Sequence, residues 1–321
     1  MAPGYLKLHQ TGELDERIER LYHLLASCEL CARRCRVNRL EGEKGYCRSG
    51  RELVISSYGP HFGEEEPLVG GSGLTIWSQF GVHPVGGSGT IFLTNCNLLC
   101  VYCQNYDISH LGYGRVTSEE AAAGYALELQ NKGCHNINLV TPTHFTPQLV
   151  KTIKIAAEKG LCLPIVWNCG GYENVETIRL LDGIVDIYMP DIKYGTEEPA
   201  KRYSHAPDYF ERCRESIKEM HRQVGDLRLD DRGIAYRGLL IRHLVLPDDL
   251  AGSERVLKFI AEELSPNSYV NIMSQYRPEG EAYKYPELNR HPTRDEYYRV
   301  IEMAERLGLT RGLQPKHLGR F

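Results

Sequence analysis

No stretch of the 321 residues approaches 18 consecutive apolar positions, and the amino terminus Met-Ala-Pro-Gly-Tyr-Leu-Lys-Leu-His lacks a charged-then-apolar signal pattern. These absences exclude a spanning helix and a secretory leader of the usual kind, and the expectation is a cytoplasmic protein with no membrane partner. Charge of one sign is lacking too. With 38 basic and 42 acidic residues the net charge is −4, so no bulk field draws the chain to nucleic acid or an anionic surface. Nucleic acid is therefore not an expected partner, and any macromolecule must be recognised locally. What the chain has in number is cysteine: eleven, an odd count. In a chain of this character that favours metal ligands over a disulfide framework.

Seven of the eleven fall into two spaced groups, while Cys134, Cys162, Cys169 and Cys213 are scattered. Cys96, Cys100 and Cys103 sit in Thr-Asn-Cys-Asn-Leu-Leu-Cys-Val-Tyr-Cys-Gln-Asn, spaced Cys-x3-Cys-x2-Cys behind an apolar run. Three thiolates are an incomplete set, since structural zinc takes four protein ligands and a protein-held iron–sulfur cluster usually takes four cysteines. The spacing points to a [4Fe–4S] cluster with one iron left open. The competing readings are three small buried hydrophobes, or zinc borrowing a remote histidine. Cys28, Cys31, Cys35 and Cys47 form the other group, interleaved with Arg33, Arg34, Arg36, Arg39 and Lys44. Four thiolates there can complete a zinc tetrahedron or hold an auxiliary cluster. The basic residues either recognise an acidic partner or stabilise thiolates by lowering their pKa.

A helical period is expected over 13–26, from Leu14, Ile18, Leu21, Leu24 and Leu25. Short β pieces at 53–58 and 74–77 with Gly/Pro-rich turns follow, as a connecting lobe. From about 89 the rhythm changes. Strands are expected at 90–94, 137–141, 164–168, 185–189, 239–246 and 269–273, with helical crossovers at 118–132, 147–159, 175–181 and 206–224 and a last helix at 294–307. The expectation is an α/β fold, an open partial (βα)6 TIM-like barrel, with residues 1–88 as a cysteine-rich extension and 89–321 as the barrel. The polar clusters follow the expected strands, where parallel barrels build their sites. The stretch 199–232 lengthens one crossover and is expected to cap the mouth; the tail 317–321 has no readable role.

The run Asn95 to Asn105 resembles the cluster loop of radical S-adenosylmethionine (SAM) enzymes, and more narrowly that of pyruvate formate-lyase-activating enzymes. Asn168-Cys169-Gly170-Gly171-Tyr172, Met189-Pro190-Asp191-Ile192-Lys193 and Ile241 to Pro247 are similar to later segments of those activases, over roughly 89–276. Thr-Pro-Thr-His, Met-Ser-Gln-Tyr and the amino-terminal cysteines resemble an activase-like branch. The resemblance implies a radical SAM oxidoreductase. Its cofactors would be SAM and a [4Fe–4S] cluster on Cys96, Cys100 and Cys103, and its reductant a low-potential donor such as flavodoxin or ferredoxin. Hydrogen would be abstracted from a substrate, a glycyl-radical protein in the activases; modification of a small molecule or other peptide is the alternative, as is a non-catalytic redox-sensing or binding protein. SAM contacts are implied at Tyr102, Thr141, Asn168, Cys169, Met189, Asp191, Lys193, Arg242 and Gln275. A monovalent cation is implied among Met189, Asp191, Asn168 and Cys169, although Asn and Cys stand where the activases carry an acid and a hydroxyl, and hard cations prefer oxygen. His144 either handles a proton near the substrate or is a structural histidine bonded to backbone.

Overall fold

Six apolar runs pair side by side in parallel, each register set so that residues at the carboxyl ends stand level with one another. The computed structural model describes residues 2–70, 75–78, 81–84 and 86–313. Its strands are β1 (Val54–His61), β2 (Thr75–Ser78), β3 (Gly81–Pro84), β4 (Ser88–Leu93), β5 (Arg115–Val116), β6 (Ile137–Val140), β7 (Ile165–Cys169), β8 (Ile187–Pro190), β9 (Arg228–Leu229), β10 (Ala235–Leu244) and β11 (Tyr269–Met273). The order β11-β10-β8-β7-β6-β4 is sequential, so the parallel sheet winds one way and stays open, a partial α/β barrel. Its strands carry near-continuous apolar sequence because both faces are covered; β7 is buried at every position.

The crossover helices start where capping chemistry supplies acceptors for free N–H groups. Ser118 Oγ accepts from Ala121 N ahead of helix Glu119–Asn131, Pro147 sits in the first turn of Thr146–Glu158, and Asn174 caps Val175–Leu180. A capping box of Thr293 and Glu296 opens the last helix, Arg294–Arg306. The lengthened crossover carries two helices, Glu197–Ser204 and Tyr209–Val224.

The amino-terminal helix differs from expectation. Gly12, at φ 79°, closes an unanticipated first helix, Gly4–Thr11, and leads into Glu13–His23, the run expected over 13–26 with its end shortened. Both pack on helix Thr146–Glu158. The connecting stretch differs as well: β1 pairs antiparallel with β4, Tyr58 opposite Ile91, and β5 pairs on its far side. The main sheet therefore runs across residue 88. Among the described residues β2 and β3 pair only with each other. The 317–321 tail lies outside the described residues, among which no helix is long and apolar enough to cross a membrane.

Candidate functional site

Beyond β4 the chain reverses through Asn95 and Leu99, both at positive φ (64° and 56°), and Asn95 N donates to Ile108 O at 2.8 Å. This turn gathers the three cysteines, and each sulfur accepts one hydrogen bond. Leu98 N lies 3.3 Å from Cys96 Sγ, Ser204 Oγ 2.9 Å from Cys100 Sγ, and Ser109 Oγ 3.2 Å from Cys103 Sγ. Behind Ser204 the hydroxyls of Tyr194 and Tyr102 continue the chain at 2.7 Å each. Burial, reinforced by neighbouring Cys100, pushes the Cys96 thiol up to about 12, and burial raises Cys100 against the pull of Lys193. Three neighbouring thiolates, one buried and two half-buried, need a cationic metal group to exist together. Among the described residues no three Cys, His, Asp or Glu side chains close around a single ion. A cluster spreads its thiolates over several irons, so the three need not converge on one point. The sulfur-only donor set with its N–H and O–H donors fits a cubane.

Parallel register assembles the neighbouring cluster. Asn168 on β7 stands opposite Met189 on β8, and Asp191, just past β8, bridges to Arg242 on β10. Arg242 Nε donates to Asp191 Oδ1 and Nη2 to Asn168 Oδ1, both at 2.7 Å, and Lys193 Nζ donates to Asp191 Oδ2 at 2.7 Å. Glu64 and Glu65 approach Arg242 Nη1 at 3.6 and 3.9 Å. Burial alone would raise Asp191, but the Arg242 and Lys193 charges prevail and hold it below the usual carboxylate range. Glu64 moves the other way, raised by burial. Both Asp191 oxygens and the Asn168 carbonyl are thus engaged by fixed cations, which occupy the oxygen ligands expected to serve a monovalent cation.

Gly170 and Gly171 make this approach possible. A Cβ on Gly170 would meet Leu98 Cδ1 at 2.6 Å, and one on Gly171, at φ 76°, would meet Asp191 O at 2.5 Å. Tyr209, from the lengthened crossover, accepts from Lys193 N at 2.9 Å and donates to Gly170 O at 2.8 Å. The 199–232 stretch therefore reaches both the cysteine loop, through Ser204, and the turn after β7.

The remaining expected residues divide. Thr141 follows β6 at φ 60°, a strained value for a β-branched residue, with its N–H on Asn168 O at 2.8 Å. Gln275 is exposed after β11 and its carbonyl accepts from Gln104 Nε2 at 3.0 Å. The Tyr102 ring is buried edge-on against Tyr194 and Tyr276. The Met189 side chain packs with Leu68 and Val166. The Cys169 thiol bonds buried Glu173, whose carboxyl burial raises to about 7 and Thr143 Oγ1 contacts at 2.7 Å. His144 is 1% exposed, with Nε2 2.7 Å from Thr94 O, and burial lowers its pKa to about 3. It is neutral, with Nε2 bonded to a backbone carbonyl.

Cys28, Cys31, Cys35 and Cys47 line one cavity together with Arg39 and His144. The arginines among them turn inward as well as outward. Arg39, fully buried, donates to His144 O at 2.8 Å and to Gly50 O, while Arg33 donates to Asn97 O at 2.8 Å, Ser204 O at 3.1 Å and His205 O. These inward roles, with Glu64, Glu65, Glu173, Tyr194 and Ser204, were not anticipated. Only the basic dressing of the cysteines signalled any of them. A separate cavity of 730 Å³, lined by residues including Tyr22, Arg51, Glu119 and Lys151, shares no residue with the carboxyl ends of the parallel strands.

The radical SAM superfamily model matches residues 90–230. The uncharacterized protein MJ0674 of Methanocaldococcus jannaschii is 34% identical over 303 residues, covering 92% of this chain and 79% of that protein. MJ0808 of the same organism, also uncharacterized, is 22% identical over 311 residues, covering 91% and 80%. Among solved structures, HydG, a maturase of the [FeFe]-hydrogenase, is similar over 70% of this chain and 50% of its own, at 10% identity and a TM-score of 0.49. The superfamily match takes in the three-thiol loop and the parallel strands from β4 to β8, and brings with it a [4Fe–4S] cluster and SAM as cofactors: residues 90–230, somewhat under half of the chain, form a radical SAM superfamily domain.

Proposed function

We propose that this chain is a radical SAM oxidoreductase whose cluster is held by Cys96, Cys100 and Cys103 and whose substrate, as in the activases it resembles, is a protein glycine. When bound, the cluster supplies one electron to the SAM sulfonium, giving methionine and a 5′-deoxyadenosyl radical that removes hydrogen from a C–H bond. The chain's own work is orientation and shielding. Ser204, Ser109 and the Leu98 amide stabilise the thiolates. Arg242 and Lys193 present positive charge for the SAM carboxylate while Asp191 holds both in place, and Thr141 and Gln275 offer polar groups for the amino acid and ribose. The fixed cations replace a monovalent ion in this reading. A low-potential flavodoxin or ferredoxin serves as reductant.

The observation that carries the proposal is the three hydrogen-bonded thiols standing after a parallel strand whose neighbours end in Asn168, Asp191 and Arg242. Anaerobic reconstitution with iron and sulfide, then incubation with SAM and a strong reductant, tests it. Formation of 5′-deoxyadenosine is expected, and its loss in each of Cys96→Ala, Cys100→Ala and Cys103→Ala. Full activity in any one of them overturns the ligand assignment. Deuterium carried from glycine-labelled candidate proteins into 5′-deoxyadenosine identifies the substrate; label arriving only from a small molecule overturns the glycyl reading.

A further inference from the structure

The four-cysteine cavity also contains a group that thiols alone leave unsatisfied. The His144 Nε2 lies 2.7 Å from Thr94 O, and a carbonyl can only accept, so that nitrogen carries the ring proton and Nδ1 presents a lone pair. Nδ1 is buried without a hydrogen-bond partner, in a residue 1% exposed that lines the same cavity as Cys28, Cys31, Cys35 and Cys47. None of the four sulfurs donates to it. The partner that suits such a lone pair among sulfurs is an electron-pair acceptor.

We propose that this cavity is a second metal centre, a [4Fe–4S] cluster ligated by Cys28, Cys31, Cys47 and His144 Nδ1. Cys28, Cys31 and Cys47 are buried and near enough to one another for their charges to interact. Cys35 is half-buried, its sulfur accepting from Tyr46 N at 3.4 Å, and is the outer thiol. Sulfur with imidazole selects zinc or iron–sulfur. A cluster spreads its four ligands over four irons, so they need not close around one point as zinc requires. Iron–sulfur centres accept mixed cysteine and histidine ligation. Arg39 Nη1, 3.8 Å from Cys28 Sγ and 2.8 Å from His144 O, braces both sides.

The test uses the full chain with Cys96→Ala, Cys100→Ala and Cys103→Ala together, so the result stands whether or not the native protein cleaves SAM. After anaerobic reconstitution about four irons and four sulfides per chain are expected to remain. Pulsed EPR of the reduced form is expected to show strong nitrogen coupling that His144→Gln abolishes, while Cys35→Ser keeps its iron. If His144→Gln does not fold, 15N-histidine labelling of the triple variant supplies the same readout by changing the coupling. Stoichiometric zinc in place of iron, absence of iron, or nitrogen coupling insensitive to His144 overturns the proposal.

Discussion

Arg242 joins three strand ends through one planar group: its guanidinium bonds Asp191 and Asn168 and stands beside Glu64 and Glu65. Breaking a largely buried ion pair costs more than the pair contributes, because the surviving charge loses its partner. Arg242→Gln is expected to lower unfolding stability by about 3 kcal/mol in urea denaturation and to depress SAM cleavage. Arg242→Lys should recover little, since an ammonium lacks the fork that meets two acceptors. Adding Asp191→Asn to Arg242→Gln should restore part of the stability, and strict additivity in that cycle argues against the pairing. Ser204 offers a finer probe. A hydrogen bond to a cluster sulfur favours the more negative reduced state, so Ser204→Ala should shift the midpoint of the Cys96–Cys100–Cys103 cluster downward in an EPR-monitored titration. An unchanged midpoint removes Ser204 from the cluster's surroundings. The cysteines and Asp191, Lys193 and Arg242 were legible because each lies in a local motif beside an expected strand end. Glu64, Glu173 and Ser204 were not, because they arrive from segments whose path over the sheet no local pattern encodes.

At the level of elements, the six parallel strands and their crossovers were legible in apolar periodicity and caps, with ends shifted by only a few residues. What periodicity missed was the first of the two amino-terminal helices, Gly4–Thr11, which left-handed Gly12 separates from Glu13–His23, and the pairing of β1 with β4, which depends on contacts remote in sequence. The first of those helices is tied down by Asp186, whose Oδ1 accepts from Gly4 N at 3.1 Å and Oδ2 from Ile165 N at 3.0 Å. Burial raises this carboxyl from 3.8 to about 6. The folded state therefore holds the proton more tightly than the unfolded chain, and ionisation costs stability. This contribution should be absent below about pH 4, grow as pH rises to about 6 and stay constant above, reaching on the order of 3 kcal/mol. Asp186→Ala should remove that slope and, by leaving two N–H groups without acceptors, lower stability by about 1–3 kcal/mol at pH 5. Chemical denaturation from pH 4 to 7 reads both, and a wild-type stability rising across that window contradicts the assignment.

On the scale of the whole molecule, the amino-terminal cysteine segment and the barrel loop form one hydrogen-bonded unit although some 50 residues separate them in sequence. The sequence reads this segment as a cysteine-rich extension of the barrel, and nothing local marks Arg33 as the residue that joins them. Its guanidinium donates to the carbonyls of Asn97, Ser204 and His205 while lying 3.5 Å from the Tyr46 ring centroid. Asn97 follows the ligand Cys96, and Ser204 donates to Cys100 Sγ. Tyr46 OH adds a bond to Leu98 O at 3.4 Å. Arg33 thus fixes the backbone on both sides of the three-thiol loop. Arg33→Met keeps the aliphatic stem but removes three donors from carbonyls in a partly buried space, at a cost of about 2–3 kcal/mol. It is expected to lower the melting temperature and to broaden the EPR signal of the Cys96–Cys100–Cys103 cluster. Arg33→Lys should rescue neither, because one ammonium cannot span carbonyls contributed by two segments. If Arg33→Met lowers stability yet leaves the cluster signal and its midpoint unchanged, the amino-terminal segment is a support for the fold and not for the cluster loop.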